Sequence, residues 1–152
     1  MSLLKPYLKL WFPFVLAVTA AALGLESIEG YKIKTTEYYG LMNLGADYFL
    51  VIIIMVSLPS LVLYPLIGVP VSLIMRRWIG SAAVRTVLYA WIGVLGGMWF
   101  FNENYLEDMV VRFDLRISTA AICFGMAGLF YALLEHFLIS RLGRELGFEK
   151  LG

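Results

Sequence analysis

The residues best suited to chemistry stand near the end of the last apolar run of this sequence. Glu135 and His136 are neighbours there, and Arg85 lies one helical turn inside the preceding apolar run. An ionisable residue in a long apolar segment is a functional candidate, because burying a charge is costly. Two readings stay open for Glu135: an acid paired with Arg85, Arg76 or Arg77, or a gate or proton-linked group.

Catalysis and metal binding have few other residues to draw on. His136 is the only histidine, and no Gly-x-Ser-x-Gly motif accompanies it. Cys123 is the only cysteine, which excludes a CxxC redox pair and a disulfide within the chain. A metal site needs several His, Cys or carboxylate ligands in one place, and a P-loop needs a glycine-rich motif that is missing here. We therefore expect no enzyme activity, no cofactor and no metal.

Composition indicates the solvent of this chain. Of its 152 residues, 61% are hydrophobic and 15% are charged. Soluble domains average about 45–50% apolar and about 25% charged residues. A chain this apolar would expose large adhesive patches in water, so we expect the lipid bilayer to surround it. Nothing in its charge, a net +1, suggests nucleic-acid binding.

Four apolar stretches are long enough to cross a membrane. A helix needs about 20 apolar residues to span a hydrocarbon core that is roughly 30 Å thick. The sequence therefore predicts an all-α fold, an integral membrane bundle of four transmembrane helices in a single domain over residues 1–152. The expected spans are 7–25, 48–75, 81–101 and 115–138.

The basic residues predict the orientation of the spans. With both termini and the 76–80 turn on one side, that side holds eight of the twelve lysines and arginines. Eight of the eleven acids fall on the other side. Basic residues concentrate on the cytoplasmic side of membrane proteins. We expect an N-in/C-in, multi-pass protein of the cell membrane, in this case the bacterial plasma membrane.

The second span contains three prolines, Pro59, Pro65 and Pro70. Each lacks an N–H and clashes with the carbonyl four residues earlier, which loosens the helix. We expect a proline-kinked helix whose freed carbonyls find serines or neighbouring helices. Two alternatives stay open: a broken helix that lines a cavity, or a span that ends near Tyr64 with the remainder on the inner surface. The freed carbonyls belong to Met55, Leu61 and Leu66.

The second outer loop, residues 102–114, has the pattern of a short interfacial helix. Apolar residues recur there at helical spacing, and Asn104 with Glu107 resembles a capping box. Glu103 and Glu107 share one face, which could bind a cation, although exposed acids at this spacing are usually a solvated face. The apolar stripe consists of Leu106, Met109, Val110 and Phe113.

Small residues at four-residue spacing allow helices to approach closely in lipid. Gly93 and Gly97 form the clearest such pair. The face they form packs either within the bundle or against a second protein. Together with the missing catalytic groups, such faces favour a non-enzymatic interaction partner, an accessory, regulatory or immunity-type subunit that binds another membrane protein or itself. The alternative is a small oligomeric transporter or channel built around the second span.

Overall fold

Every regular element is helical in residues 5–33 and 46–148, the part of the chain that the computed structural model describes. A 3₁₀ turn, Gly30–Lys32, follows the first helix, and a π-helical turn, Tyr64–Gly68, joins the second helix to the third. The prediction of an all-helical fold is confirmed for these residues. The helices are α1 (Lys5–Ile28), α2 (Ala46–Leu63), α3 (Val69–Trp78), α4 (Ala82–Asn104), α5 (Glu107–Arg112) and α6 (Ile117–Phe148).

Four helical segments are long and apolar enough to cross a membrane, as predicted. Their lengths of 26, 26, 23 and 25 residues all exceed the roughly 20 residues that a span requires. This number and length of apolar helices fit a multi-pass membrane protein. The segments are Tyr7–Lys32, Ile53–Trp78, Ala82–Asn104 and Ile117–Arg141.

The first span is longer than its hydropathy pattern indicates. Helix α1 continues to Ile28, and the side chains of Glu26 and Glu29 are buried although both lie beyond the predicted span 7–25. Hydropathy ends a span at the first acid, whereas a buried partner can keep that acid inside the fold. Of the charged residues that predict orientation, Lys34, Glu37, Glu149 and Lys150 lie outside the described residues.

Helix α6 lies at the centre of the packing, against α4 and α1, and α2 packs mainly against α1. Glycines set the distance between α4 and α6. A Cβ atom on Gly93 would overlap the Phe124 carbonyl oxygen, and one on Gly97 would lie 2.6 Å from the Ala120 carbonyl oxygen. The Gly93 and Gly97 face therefore packs within this chain.

Two clusters of buried side chains hold the helices together, one toward each end. The first contains Leu25, Ile33, Phe101 and Phe124. The second contains a tyrosine from each of the four spans and is the more polar of the two. Its buried members are Tyr7, Leu10, Tyr64, Tyr89, Tyr131 and Ala132.

Helix α5 forms in the loop where a short helix was predicted, but with a different N-terminus. Leu106, in extended conformation, precedes its first residue, and no side chain caps the helix. The Asn104 side chain instead donates to the Phe100 carbonyl in the last turn of α4 at 2.8 Å. The predicted capping box of Asn104 and Glu107 is wrong, because Asn104 still belongs to α4.

Candidate functional site

Four buried tyrosines, one from each span, meet in the space between the helices. Tyr7 comes from α1, Tyr64 from the π-helical turn, Tyr89 from α4 and Tyr131 from α6. The Tyr131 ring lies edge-on to Tyr64, with centroids 6.1 Å apart, and to Tyr89, with centroids 5.3 Å apart. Such edge-to-face contacts are favourable for aromatic rings. The hydroxyl groups consequently converge in the interior, where each needs a partner.

The hydroxyl groups of Tyr64, Tyr89 and Tyr131 form one continuous chain of hydrogen bonds with that of Ser72. Tyr89 donates to the Ser72 Oγ at 2.9 Å, and the Ser72 Oγ lies 3.0 Å from the Tyr131 hydroxyl. The Tyr131 hydroxyl lies 3.2 Å from that of Tyr64, which donates to the Tyr7 carbonyl at 2.8 Å. The chain thus joins all four spans through their interior.

Only one direction of donation satisfies this chain. A backbone carbonyl only accepts, and a hydroxyl has a single hydrogen to donate. Since Tyr64 gives its hydrogen to the Tyr7 carbonyl, it must accept from Tyr131. Tyr131 must then accept from Ser72, and Ser72 accepts from Tyr89. Tyr89 is therefore the first donor of the chain, and its oxygen retains free lone pairs.

Glu135 lies one turn after Tyr131 on α6, beside the Tyr89 hydroxyl and only 4% exposed. Its Oε1 atom makes no hydrogen bond with any described residue. The Tyr89 hydroxyl lies within hydrogen-bond reach of the carboxyl group as well as of Ser72, and it has one hydrogen for these two acceptors. When that hydrogen is given to Ser72, a carboxylic acid at position 135 could in turn donate to the Tyr89 oxygen.

A cavity of about 280 Å³ opens beside Glu135. Arg76 from the end of α3 and Arg85 from the start of α4 act electrostatically on the carboxyl group. None of Arg76, Arg77 and Arg85 comes within 4 Å of it in the described part of the chain, so the ion pair that one of the two readings of Glu135 requires is not formed there. Arg85 instead points one N–H at the Ile79 carbonyl, 3.5 Å away. The cavity lining comprises Arg76, Arg85, Glu135, His136, Ile139 and Ser140.

Glu29, at the opposite end of the helices, is a useful contrast. It is 1% exposed, yet both of its oxygens have partners. Lys32 Nζ donates at 2.7 Å and the Arg116 backbone N–H at 3.0 Å, both to Oε2, and the Thr119 hydroxyl donates to Oε1. A carboxylate at the first turn of α6 also faces the positive end of that helix. Glu29 is therefore a structural anchor that joins α1 to α6.

The proline segment of the second span supplies Tyr64 to this interior. Pro65 has no N–H for the Leu61 carbonyl, and the Trp11 indole N–H of α1 donates to that carbonyl at 2.9 Å. The expectation that a neighbouring helix serves a freed carbonyl holds for Leu61. The chain is helical through the prolines, with a π turn at Tyr64–Gly68. Single π turns often occur at functional sites.

The remaining candidate residues are dispersed. Pro59 and Pro65 are exposed, and neither lines the cavities at Glu135 or at α5. Glu107 lines a second cavity of about 620 Å³ between α4, α5 and α6, whereas Glu103 is exposed outside it. Within residues 5–33 and 46–148, no three His, Cys, Asp or Glu side chains cluster as a metal site would require.

Sequence reasoning identified Glu135, His136 and Arg85 but missed the hydroxyl chain. One signal was available, since Tyr131 and Glu135 are four residues apart and so share a helix face. Ser72 and Tyr64 gave no such signal, because their neighbours come from other helices. The protein as a whole matches no known protein family, no curated protein and no solved structure.

Proposed function

We propose that this chain is a non-enzymatic interaction subunit of the cell membrane, with an accessory, regulatory or immunity-type role, that docks to another membrane protein. In this proposal both termini are cytoplasmic, the second span is kinked at its prolines, and α5 lies at the outer surface. The π turn that contains Pro65 supports the kink, because sharp bends occur at prolines and π turns.

The distribution of charge supports the orientation. The end that holds the Glu135 cavity also holds exposed Arg76 and Arg77, followed by exposed Trp78. Arginines favour the cytoplasmic side, and tryptophan is enriched at membrane boundaries. The opposite end carries exposed acids on and around α5. These acids are Glu103, Glu107, Asp108 and Asp114.

The observation that carries the docking proposal is the position of α2. Among the described helices it packs mainly against α1, and less extensively than α4 packs against α6. Its other faces are apolar and exposed, with Leu58 at 57% exposure. Helices in lipid associate through van der Waals packing, so this surface suits a helix of a partner protein. The outward residues include Ile54, Met55, Leu58, Leu61 and Val62.

Site-specific crosslinking tests this docking surface. In a Cys123→Ala background, a thiol-attached photocrosslinker would be placed at Leu58→Cys on α2 or at Leu95→Cys on α4. The two positions are matched in exposure, at 57% and 60%. We expect a discrete protein product from position 58 and none from position 95. A product made of two copies of this chain would identify the partner as itself, and identical products from both positions would refute a dedicated α2 surface.

A small transporter is the second candidate, favoured by one specific observation. The Tyr89 hydroxyl lies within hydrogen-bond reach of Glu135, and the hydroxyl chain runs from Tyr89 to Tyr64, the residue that precedes Pro65 in the π turn. A group that exchanges protons at Glu135 therefore adjoins a chain of hydrogen bonds that reaches the least regular part of the second span. Chains of ionisable and polar groups inside membrane segments mark proton or substrate paths.

Reconstitution distinguishes the two candidates. The purified chain would be placed in vesicles that enclose a pH-sensitive dye, beside a Glu135→Gln variant. A transporter that uses Glu135 predicts proton flux that the variant abolishes while protein incorporation stays constant. An interaction subunit predicts equal dye traces for protein-containing and empty vesicles.

A further inference from the structure

The cavity at Glu135 has the features of a site for a phospholipid headgroup. Its cationic side consists of Arg76 and Arg85, neither paired with an acid within 4 Å in the described residues. Its inner wall includes Glu135, whose carboxyl group is buried and whose Oε1 atom, with almost no accessible surface, has no hydrogen-bond donor among those residues. Two cations and one acceptor in one cavity call for a ligand that is an anion on one side and a donor on the other.

We propose that this cavity binds the headgroup of a membrane phospholipid that carries an N–H donor, with its phosphodiester on Arg76 and Arg85 and its ammonium on Glu135. Arginine suits phosphate because its N–H groups match the spacing of two phosphate oxygens. The ammonium brings a positive charge and N–H donors to the Glu135 carboxyl group that lines the cavity.

The position of the cavity favours a lipid over a soluble phosphate. It lies where α3 ends and α4 begins, next to exposed Trp78, and basic pockets between spans at that boundary bind lipid headgroups. Leu129 and Leu133 are exposed on α6 and precede His136 by about two turns and one turn. They form an apolar track along which an acyl chain can lie. A volume of about 280 Å³ suits a headgroup, because pockets for drug-sized molecules are larger, about 300–1,000 Å³.

Two lipids test the donor side of the proposal without any mutation. Phosphatidylethanolamine and phosphatidylcholine share the phosphodiester and the net charge, but only the first has N–H donors. The purified full chain would be equilibrated with equal amounts of both lipids in detergent, and the bound lipid counted by native mass spectrometry. We expect about tenfold preference for phosphatidylethanolamine, the effect of one charge-assisted hydrogen bond. Equal retention would overturn the proposal.

Three variants test the phosphate-binding arginines and the ammonium-binding glutamate separately. Arg76→Gln should lower retention of both lipids about tenfold, whereas Glu135→Gln should remove only the preference between them. Arg77→Gln is the matched control, since Arg77 is exposed beside Arg76 but does not line the cavity. An equal loss in Arg77→Gln and Arg76→Gln would reduce the effect to surface charge and refute the site.

A soluble competitor separates the two possible sources of phosphate. Glycerol 3-phosphate carries the phosphate of a lipid without its acyl chains. We expect it to leave the bound phosphatidylethanolamine in place when added in tenfold excess over that lipid. Displacement of the lipid under these conditions would overturn the assignment to a membrane lipid and assign the cavity to a soluble phosphate.

Discussion

Glu135 lies beside the Tyr89 hydroxyl, but the hydrogen of that hydroxyl is donated to Ser72 at 2.9 Å. The direction follows from the far end of the chain, where Tyr64 donates to the Tyr7 carbonyl. A backbone acceptor on α1 therefore helps to orient a hydroxyl hydrogen that lies within reach of a carboxyl group on α6. Buried polar groups without partners are rare in proteins, which makes Glu135 the strongest functional candidate.

The two buried carboxylates should respond oppositely to amidation. Glu29→Gln removes charge-assisted hydrogen bonds from Lys32 and the Arg116 backbone, and should destabilise the fold by about 1.5–3 kcal/mol. Glu135→Gln removes a buried charge whose Oε1 atom has no hydrogen-bond partner among the described residues, and should leave stability equal or higher. Thermal unfolding in detergent would measure both, with exposed Glu103→Gln as control.

The Glu135→Gln variant also tests whether Glu135 has a functional role. We expect Glu135→Gln to reach normal abundance in the membrane while losing activity per folded molecule. A lower abundance with unchanged activity would instead make Glu135 a purely structural residue. Quantitative immunoblotting of membranes, beside whichever activity is identified, decides between the two results.

The hydroxyl chain should depend on Tyr131 but not on the hydroxyl of Tyr7. Tyr131→Phe removes both the acceptor of Ser72 and the donor to Tyr64, and should cost about 1–3 kcal/mol of unfolding free energy. Tyr7→Phe removes a buried hydroxyl without a partner among the described residues, and should be neutral or stabilising. Denaturant titration of both variants measures the difference, and equal losses would contradict the chain described here.

A double-mutant cycle tests the contact between α1 and the proline segment. Trp11→Phe removes the indole donor to the Leu61 carbonyl and should destabilise the protein by about 1 kcal/mol. In a Pro65→Ala background the new N–H at position 65 can serve the same carbonyl, so Trp11→Phe should then cost less. Additive effects of the two substitutions would show that Trp11 and Pro65 are not coupled through Leu61.

Two glycines on α4 should differ in their tolerance of a methyl group. Gly93→Ala places a Cβ against the Phe124 carbonyl, which cannot move without separating α4 from α6, and should cost about 1–3 kcal/mol. Gly96→Ala meets no atom within 4 Å and should be neutral or slightly stabilising. Melting temperatures of both variants would check this; a Gly93→Ala protein as stable as Gly96→Ala would exclude backbone contact between these helices.

The amino-acid sequence by itself determined the class of fold and the approximate spans. Length and hydropathy are local properties, and a run of about 20 apolar residues has one economical conformation in lipid, the helix. The prolines of the second span and the loop helix α5 were also visible locally. The ends of the helices were harder to predict from the sequence, since α1 continues through Glu26 to Ile28.

Only the tertiary structure decided what each polar residue does. Glu29 and Glu135 look alike in sequence, as acids next to apolar runs, yet one has three donors and the other has an oxygen without one. The difference arises because their partners, or the lack of them, come from helices distant along the chain. Likewise, Gly93 faces α6 because of how the helices cross, which glycine spacing does not encode. Hydrogen bonds between helices join residues that are distant in sequence, so the local hydropathy of the sequence does not predict them.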